Sequence, residues 1–490
     1  MAKSQWSFCS ATELSAALAA KKVSAAELAQ DAIGRIERHD GRINAVCVRD
    51  FDRGLEAARA ADAARASGAT GALLGIPMTV KESYNVAGLP TTWGFPAQKD
   101  FVAKEDALSI TRVKDAGGVI LGKTNVPIGL GDWQSYNEIY GTTNNPYDLG
   151  RTPGGSSGGS SAALAAGYGP LSLGSDIGGS LRVPAFHCGV YAHKPTYALV
   201  ANRGHTPPPL PPLPPSRDLS VIGPMARSAA DLSLLLDVIA GPDPLEAGTA
   251  YRLALPPPRH GDLKNFRVLL IDTDPVLPTD KDVRAGIEKL AASLGKAGVK
   301  VARNSPLLPD FAASSRLYMR MLMALFGTAF TPEAYADATA TASKLASDDI
   351  SLKAERLRGL VLSHRDWLVA DGARAGLRAR WRELFKTFDA VICPLMPTPA
   401  YPQDHSEPQE ARHIAIDGKD YLYSDQLAWP GIATLPGLPA TAIPTGLSPQ
   451  GLPTGVQIVG PFLEDRTPLK LAELIEREFG GFTPPPMFDD

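Results

Sequence analysis

Residues 152–167, TPGGSSGGSSAALAAG, place Ser156 and Ser157 between two Gly-Gly pairs and run straight into an alanine-rich stretch of helical character. Three uses suit that much backbone freedom ahead of a helix. A flexible Gly/Ser linker is the first, but both flanks are apolar and read as ordered. A phosphate-binding loop is the second; it closes on Gly-Lys-Ser/Thr, whereas Ser160-Ser161-Ala162 follows the last glycine here. The third is a backbone that holds unusual dihedrals around a reactive hydroxyl, next to a helix N-terminus.

A second glycine-framed serine, 24 residues further on, selects the third use. In GSDIGGSLRVPAFHCGV (174–190), Ser180 follows Gly178-Gly179. The N–H groups of Ile177, Gly178, Gly179 and Ser180 are placed to converge on one oxygen, as an oxyanion hole requires. Ahead of Ser156 by 75 residues, LLGIPMTVKES (73–83) reads as a buried strand ending near Lys81.

The surrounding chain reads as α/β. DALSITRVKDAGG (106–118) has the pattern of an amphipathic helix stopped by glycines, and VILGKTN (119–125) that of a strand. Capping boxes at Ser10-x-x-Glu13 and Ser24-x-x-Glu27 open two N-terminal helices within about 10–40. VIGPMARSAADLSLLLDVIAG (221–241) reads as a packed helix, and 250–385 as mainly helical with no legible motif. FDAVICPLMPTP, LPGLPATAIPTG and GLPTGVQIVG, within 386–462, read as further strands of the same sheet. The expectation is therefore a single domain over 1–490: N-terminal helices, a catalytic core of about 65–245, the helical segment 250–385 and C-terminal strands over about 386–480.

Composition narrows the function classes. The 490 residues are 44% hydrophobic and 21% charged, and the net charge of −3 gives no electrostatic case for nucleic acid or an anionic membrane as partner. No apolar run reaches membrane-spanning length, and MAKSQWSFCSATEL lacks the apolar core of a signal peptide; the expectation is a cytoplasmic protein. Cys9, Cys47, Cys188 and Cys393 form no CxxC pair. The eight histidines show no HExxH and no Cys/His cluster, so no metal is expected, and His193 and His205 read as solvated or satisfied side chains. HTPPPLPPLPPSRD (205–218) reads as a stiff rim loop, with a PxxP ligand for an SH3-type partner as the alternative.

These motifs together resemble the amidase signature family across nearly the whole chain. The matching stretches are GIPMTVKES around Lys81, YGTTNNPYDLGRTPGGSSGGSSAALAAG (140–167), LGSDIGGSLRVPAFHCG (173–189), KPT (194–196), GPMARSAADL (223–232) and GLPATAIPTGLSPQGLPTGVQIVG (437–460). The resemblance implies one α/β/α domain around a mixed, twisted sheet covered by helices. It also implies amide hydrolysis by a Ser–cis-Ser–Lys triad, with Ser180 as nucleophile, Ser156 as bridging serine after a cis peptide, Lys81 as base, and no metal or organic cofactor. Without a histidine, a neutral lysine must take the proton, which calls for a pKa lowered by burial to about 7–8. Ser156 would relay the proton to Lys81 and return it to the leaving amine.

Supporting roles follow from position. Asp176 and Arg182 flank the nucleophile turn and are expected to hold its shape by hydrogen bonds. Ser157 either bonds within the site or caps a helix starting near Ser160, and Cys188 is expected to be a small buried residue. Family position implies that Leu130, Gly131, Asp132 and Trp133 line the acyl pocket, with plain core as the alternative for Trp133; Trp429 is a further candidate wall. Three departures bear on substrate choice: Glu82 stands where the family usually has Asp, AHKPT (192–196) replaces the usual Gly-Leu before Lys-Pro-Thr, and prolines fill 206–215 where the family has a loop near the site entrance.

The leading expectation is an amidase releasing a carboxylate and ammonia or an amine from a small carboxamide or an aryl or alkyl amide. The alternatives are a glutaminase-type component of a tRNA-dependent amidotransferase, whose glutamine-binding Arg/Asp pair the sequence does not locate, and a non-catalytic interaction protein using 206–215. The sequence leaves assembly as a homodimer open.

Overall fold

Eleven strands drawn from residues 46 to 459 join one mixed sheet in this computed structural model, which describes residues 5–272 and 278–488. In spatial order they are Val46–Arg49, Val119–Thr124, Pro77–Lys81, Leu171–Asp176, Val221–Ala226, Tyr191–Lys194, Ala440–Leu447, Pro453–Val459, Ala390–Cys393, Arg267–Leu270 and Lys300–Ala302. The sheet is flanked by helices, an α/β arrangement in which the central strands are buried along their whole length. Such strands read as continuous apolar runs rather than alternating ones.

Three parallel neighbours position the site. Val119–Thr124, Pro77–Lys81 and Leu171–Asp176 pair in parallel, with Lys81 opposite Thr124 and Val80 opposite Leu173. Their carboxyl ends therefore emerge side by side, the place where open α/β sheets carry their ligands. The helix Gly158–Ala165, buried at every residue, packs on these same three strands. It begins two residues earlier than Ser160.

The two N-terminal capping boxes form as expected, at the starts of Ala11–Ala19 and Ala25–Ile43. Two readings of the sequence change. Residues expected to open a helix at 221 form the strand Val221–Ala226, and the helix is confined to Ala229–Ile239. Gly223-Pro224 explains the break, since proline in a helix interior loses a hydrogen bond and clashes with the preceding turn. The segment 250–385 is rich in helix but also supplies the sheet's last two strands, Arg267–Leu270 and Lys300–Ala302, in parallel with each other. Among the described residues no helix is long and apolar enough to cross a membrane.

Candidate active site

Lys81 closes its strand with no exposed surface, and its Nζ lies 2.7 Å from Ser156 Oγ and 2.9 Å from Ser175 Oγ. Burial drives the lysine well below its ordinary pKa, against the opposing pull of Asp176 and Glu82. Among the described residues no ion pair restores the charge: the oxygens of Glu82 accept instead from the backbone N–H groups of Thr92 (2.5 Å) and Trp93 (3.0 Å) and from the Tyr140 hydroxyl (3.2 Å).

Ser156 follows a cis peptide bond from Gly155. The glycine at 155 is demanded by close approach: a Cβ there would collide with Asp132 O and come within 2.7 Å of Gln134 N and 2.8 Å of Trp133 C. At Gly154 a positive φ of 86° adds a backbone reason. The glycines thus let the serine loop lie flush against residues 132–134. Ser157 holds the N-cap position of Gly158–Ala165 but makes no side-chain cap; its hydroxyl donates to Ser175 O (3.4 Å) and accepts from Ser175 N (3.3 Å). Of its two expected uses, it makes the bond within the site and fastens the loop to the neighbouring strand.

The nucleophile turn is clamped from below. Asp176 accepts from Gly179 N (2.8 Å), Leu181 N (3.2 Å) and both Arg182 Nε and Nη2 (3.0 Å each). Burial opposes its charge, yet the Arg182 guanidinium and these donors hold its carboxyl below the usual range. Arg182 in turn donates to Gln457 Oε1 (2.6 Å), Thr434 Oγ1 (2.9 Å) and Pro430 O (3.2 Å). The pair thereby ties the turn to the helix and strand behind it. One of the four expected oxyanion donors is however spent, because Asp176 folds back to take the Gly179 N–H. The carbonyls of Ile177 and Gly178 are tied off by Tyr318 Oη (2.6 Å) and Trp133 Nε1 (2.8 Å), which fixes the orientation of those peptides.

Ser180 stands where two cavities meet. One, of about 160 Å³, is walled by Leu130, Gly131, Asp132 and Trp133 together with Leu322, Met323, Phe326 and Leu427. The other, of about 350 Å³, is lined by Ser156, Ser175 and Asp176 and by His205, Pro207, Pro208, Leu210 and Arg217. Ser180, Leu130, Ile177 and Phe326 belong to both. Leu130 sits in the left-handed region, φ 60°, a conformation leucine rarely adopts. The proline-rich stretch is a wall of the larger cavity.

The remaining expected residues separate. Trp429 is fully buried in the apolar cluster with Tyr318 and Trp381 and lines neither cavity; its helix, Ala428–Thr434, is buried at every residue. Cys188 is buried, accepts from Ser161 Oγ at 3.4 Å, and is pushed by burial up to about 12. His193 is buried between Thr441 Oγ1 (2.9 Å) and Asp465 Oδ1 (3.1 Å). His205 pairs with Ser83 Oγ (2.9 Å) and is held down to about 3, by burial first and then by Lys81 and Arg217. Among the described residues no group of three or more His, Cys, Asp or Glu is arranged to hold a metal ion.

Sequence reasoning missed Ser175, the second hydroxyl on Lys81, whose only signal is its place one residue before Asp176. It also missed Tyr318, Leu322, Met323 and Phe326, all on the helix Phe311–Gly327.

The family model for amidases matches residues 27–469. The chain belongs to the amidase family. Amide hydrolysis is the chemistry of these enzymes, and the site described above lies within the matched residues. Among relatives, the fatty-acid amide hydrolase 2-A of Danio rerio is 32% identical over 97% of this chain and 90% of its own. The indoleacetamide hydrolase of Bradyrhizobium diazoefficiens is 32% identical over 97% of this chain and 87% of its own. A glutamyl-tRNA(Gln) amidotransferase component of Moorella thermoacetica is 33% identical over 96% of each chain. Among solved structures, an inhibitor-bound vestigial complex described as revealing the origins of an s-triazine catabolic enzyme superposes with a TM-score of 0.80 at 27% identity, covering 96% of this amidase and 99% of that chain.

Proposed function

We propose that this amidase hydrolyses a small carboxamide or an aryl or alkyl amide through a Ser180 acyl-enzyme. A serine hydroxyl is a weak nucleophile until a base removes its proton. Ser180 gives its proton to Ser156, whose own proton passes to neutral Lys81, and Ser180 Oγ attacks the amide carbon. The N–H groups of Ile177, Gly178 and Ser180 receive the developing oxyanion. Collapse breaks the C–N bond as Ser156 returns a proton to the leaving nitrogen; water then repeats the cycle to free the carboxylate. The apolar wall of Trp133, Leu322, Met323 and Phe326 suits an aryl or alkyl acyl group. The observation that carries this reading is the 2.7 Å contact of a fully buried Lys81 with Ser156, on the floor of a cavity that Ser180 shares.

A glutaminase-type role is the second reading, favoured by an Arg/Asp pair that only the fold brings together. Arg356, on the wall of the smaller cavity, pairs with Asp425 at 2.7 Å. A screen of aliphatic, aryl and amino-acid amides for ammonia or amine release separates the two. Turnover of aryl or alkyl amides, abolished by Ser180→Ala with unchanged thermal unfolding, is the expected result. Turnover of glutamine alone, lost in Arg356→Ala, would select the second reading, and an active Ser180→Ala protein would remove the acyl-enzyme altogether.

A further inference from the structure

The two cavities beside Ser180 differ in their charge balance. In the smaller one, every cation is matched: Arg356 pairs with Asp425 at 2.7 Å, and Asp132 takes Arg412 at 2.6 Å. In the larger one, the single carboxylate among the lining residues is Asp176, and it is taken up by Arg182 and the N–H groups of Gly179 and Leu181. Arg217 also faces that cavity, exposed at its mouth on the proline-rich loop. Among the described residues no acidic side chain pairs with its guanidinium; the neighbouring Asp218 is turned away to Arg374 at 2.7 Å. Prolines at 207–209, 211–212 and 214–215 stiffen the loop that carries it.

The proposed reaction decides which part of the substrate meets this cation. Ser156 is the proton donor to the leaving nitrogen, and Ser156 lines the larger cavity but not the smaller. The leaving amine therefore occupies the larger cavity, and the acyl group lies against the apolar wall of the smaller one. Resting on the triad reading above, we infer that Arg217 selects amides whose amine half carries a carboxylate, as in N-acyl amino acids and N-acyl aminobenzoates. A guanidinium fits a carboxylate with two parallel N–H···O bonds, and a charge-assisted pair of this kind outweighs a neutral hydrogen bond.

The test uses anilides with one acyl group and two para substituents, a carboxylate and a neutral acetyl, over acyl groups from acetyl to phenylacetyl. Release of the aromatic amine is followed for the wild type and for Arg217→Gln, which alters an exposed loop side chain. The carboxylate-to-acetyl ratio of kcat/KM is expected to fall about tenfold in Arg217→Gln, a size typical of one charge-assisted contact. Added salt should erode the preference only in the wild type. Ser180-dependent release with the same ratio in both proteins would overturn the role of Arg217 and leave the triad standing. No Ser180-dependent release from any member would overturn the triad reading and this inference with it.

Discussion

Two hydroxyls hold one lysine at the centre of the site, and they have different parts in the account. In the proposed mechanism Ser156 lies on the proton path, whereas Ser175 positions Nζ from 2.9 Å away on the adjacent strand. Ser175→Ala should slow acylation about tenfold, the worth of a buried hydrogen bond to an ionisable partner, and shift the pH midpoint of acylation while thermal unfolding moves little. An unchanged rate and profile, measured by single-turnover kinetics, would reduce Ser175 to packing. Lys81, Ser156 and Ser180 were legible as a candidate site because a Gly-Gly pair precedes each serine and an apolar strand ends at the lysine, while their roles came from the family resemblance. Ser175 was not, since a small polar residue inside a buried strand carries no pattern until the register brings Val80 beside Leu173.

At the level of elements, the turn 177–180 keeps its shape through one buried ion pair. Neither Asp176 nor Arg182 exposes side-chain surface. Removing one partner strands a charge in the interior, which typically costs about 3–5 kcal/mol. Arg182→Met should therefore lose stability of that order in urea unfolding and lose acylation as the turn relaxes; a loss below about 1 kcal/mol would show that the pair is not needed to hold the turn. The same scale shows where the sequence misled. A six-residue apolar run at 221–226 has too few residues to reveal its period, so it merged with the helix that follows. The helix Phe311–Gly327 looked featureless, because a pocket wall of Leu, Met and Phe has the same pattern as core.

Across the whole molecule, distant parts of the chain are laced through helix starts. Asp231 accepts from Ala11 N at 2.7 Å, capping the first helix, and Glu476 accepts from Ala229 N at 2.7 Å, capping the helix that bears Asp231. A helix N-terminus leaves free N–H groups, so each carboxylate satisfies donors belonging to another element. Burial raises Glu476 to about 7, above the 4.5 of a free glutamate, outweighing the Ala229 bond that favours its charge. A raised folded pKa means the folded state holds the proton more tightly. This contribution to stability is whole below pH 4.5 and fades as pH climbs through about 7. Glu476→Gln should flatten the fall in unfolding free energy over that window by up to about 3 kcal/mol. An identical slope in wild type and variant, from urea titrations at several pH values, would contradict the assignment. These links span more than 200 residues and pair side chains with ordinary surface-like sequence contexts, so nothing local in the sequence announces them.

The central claim is that a neutral Lys81 drives acylation of Ser180, and single-turnover acylation against pH tests it most directly. Burial lowers the lysine well below its ordinary value, so the wild-type rate should rise with pH through that depressed pKa and then level off. Lys81→Arg should show no such limb and almost no rate, because arginine stays protonated throughout. Acylation by Lys81→Arg at the wild-type rate, with the same pH profile, would contradict the claim.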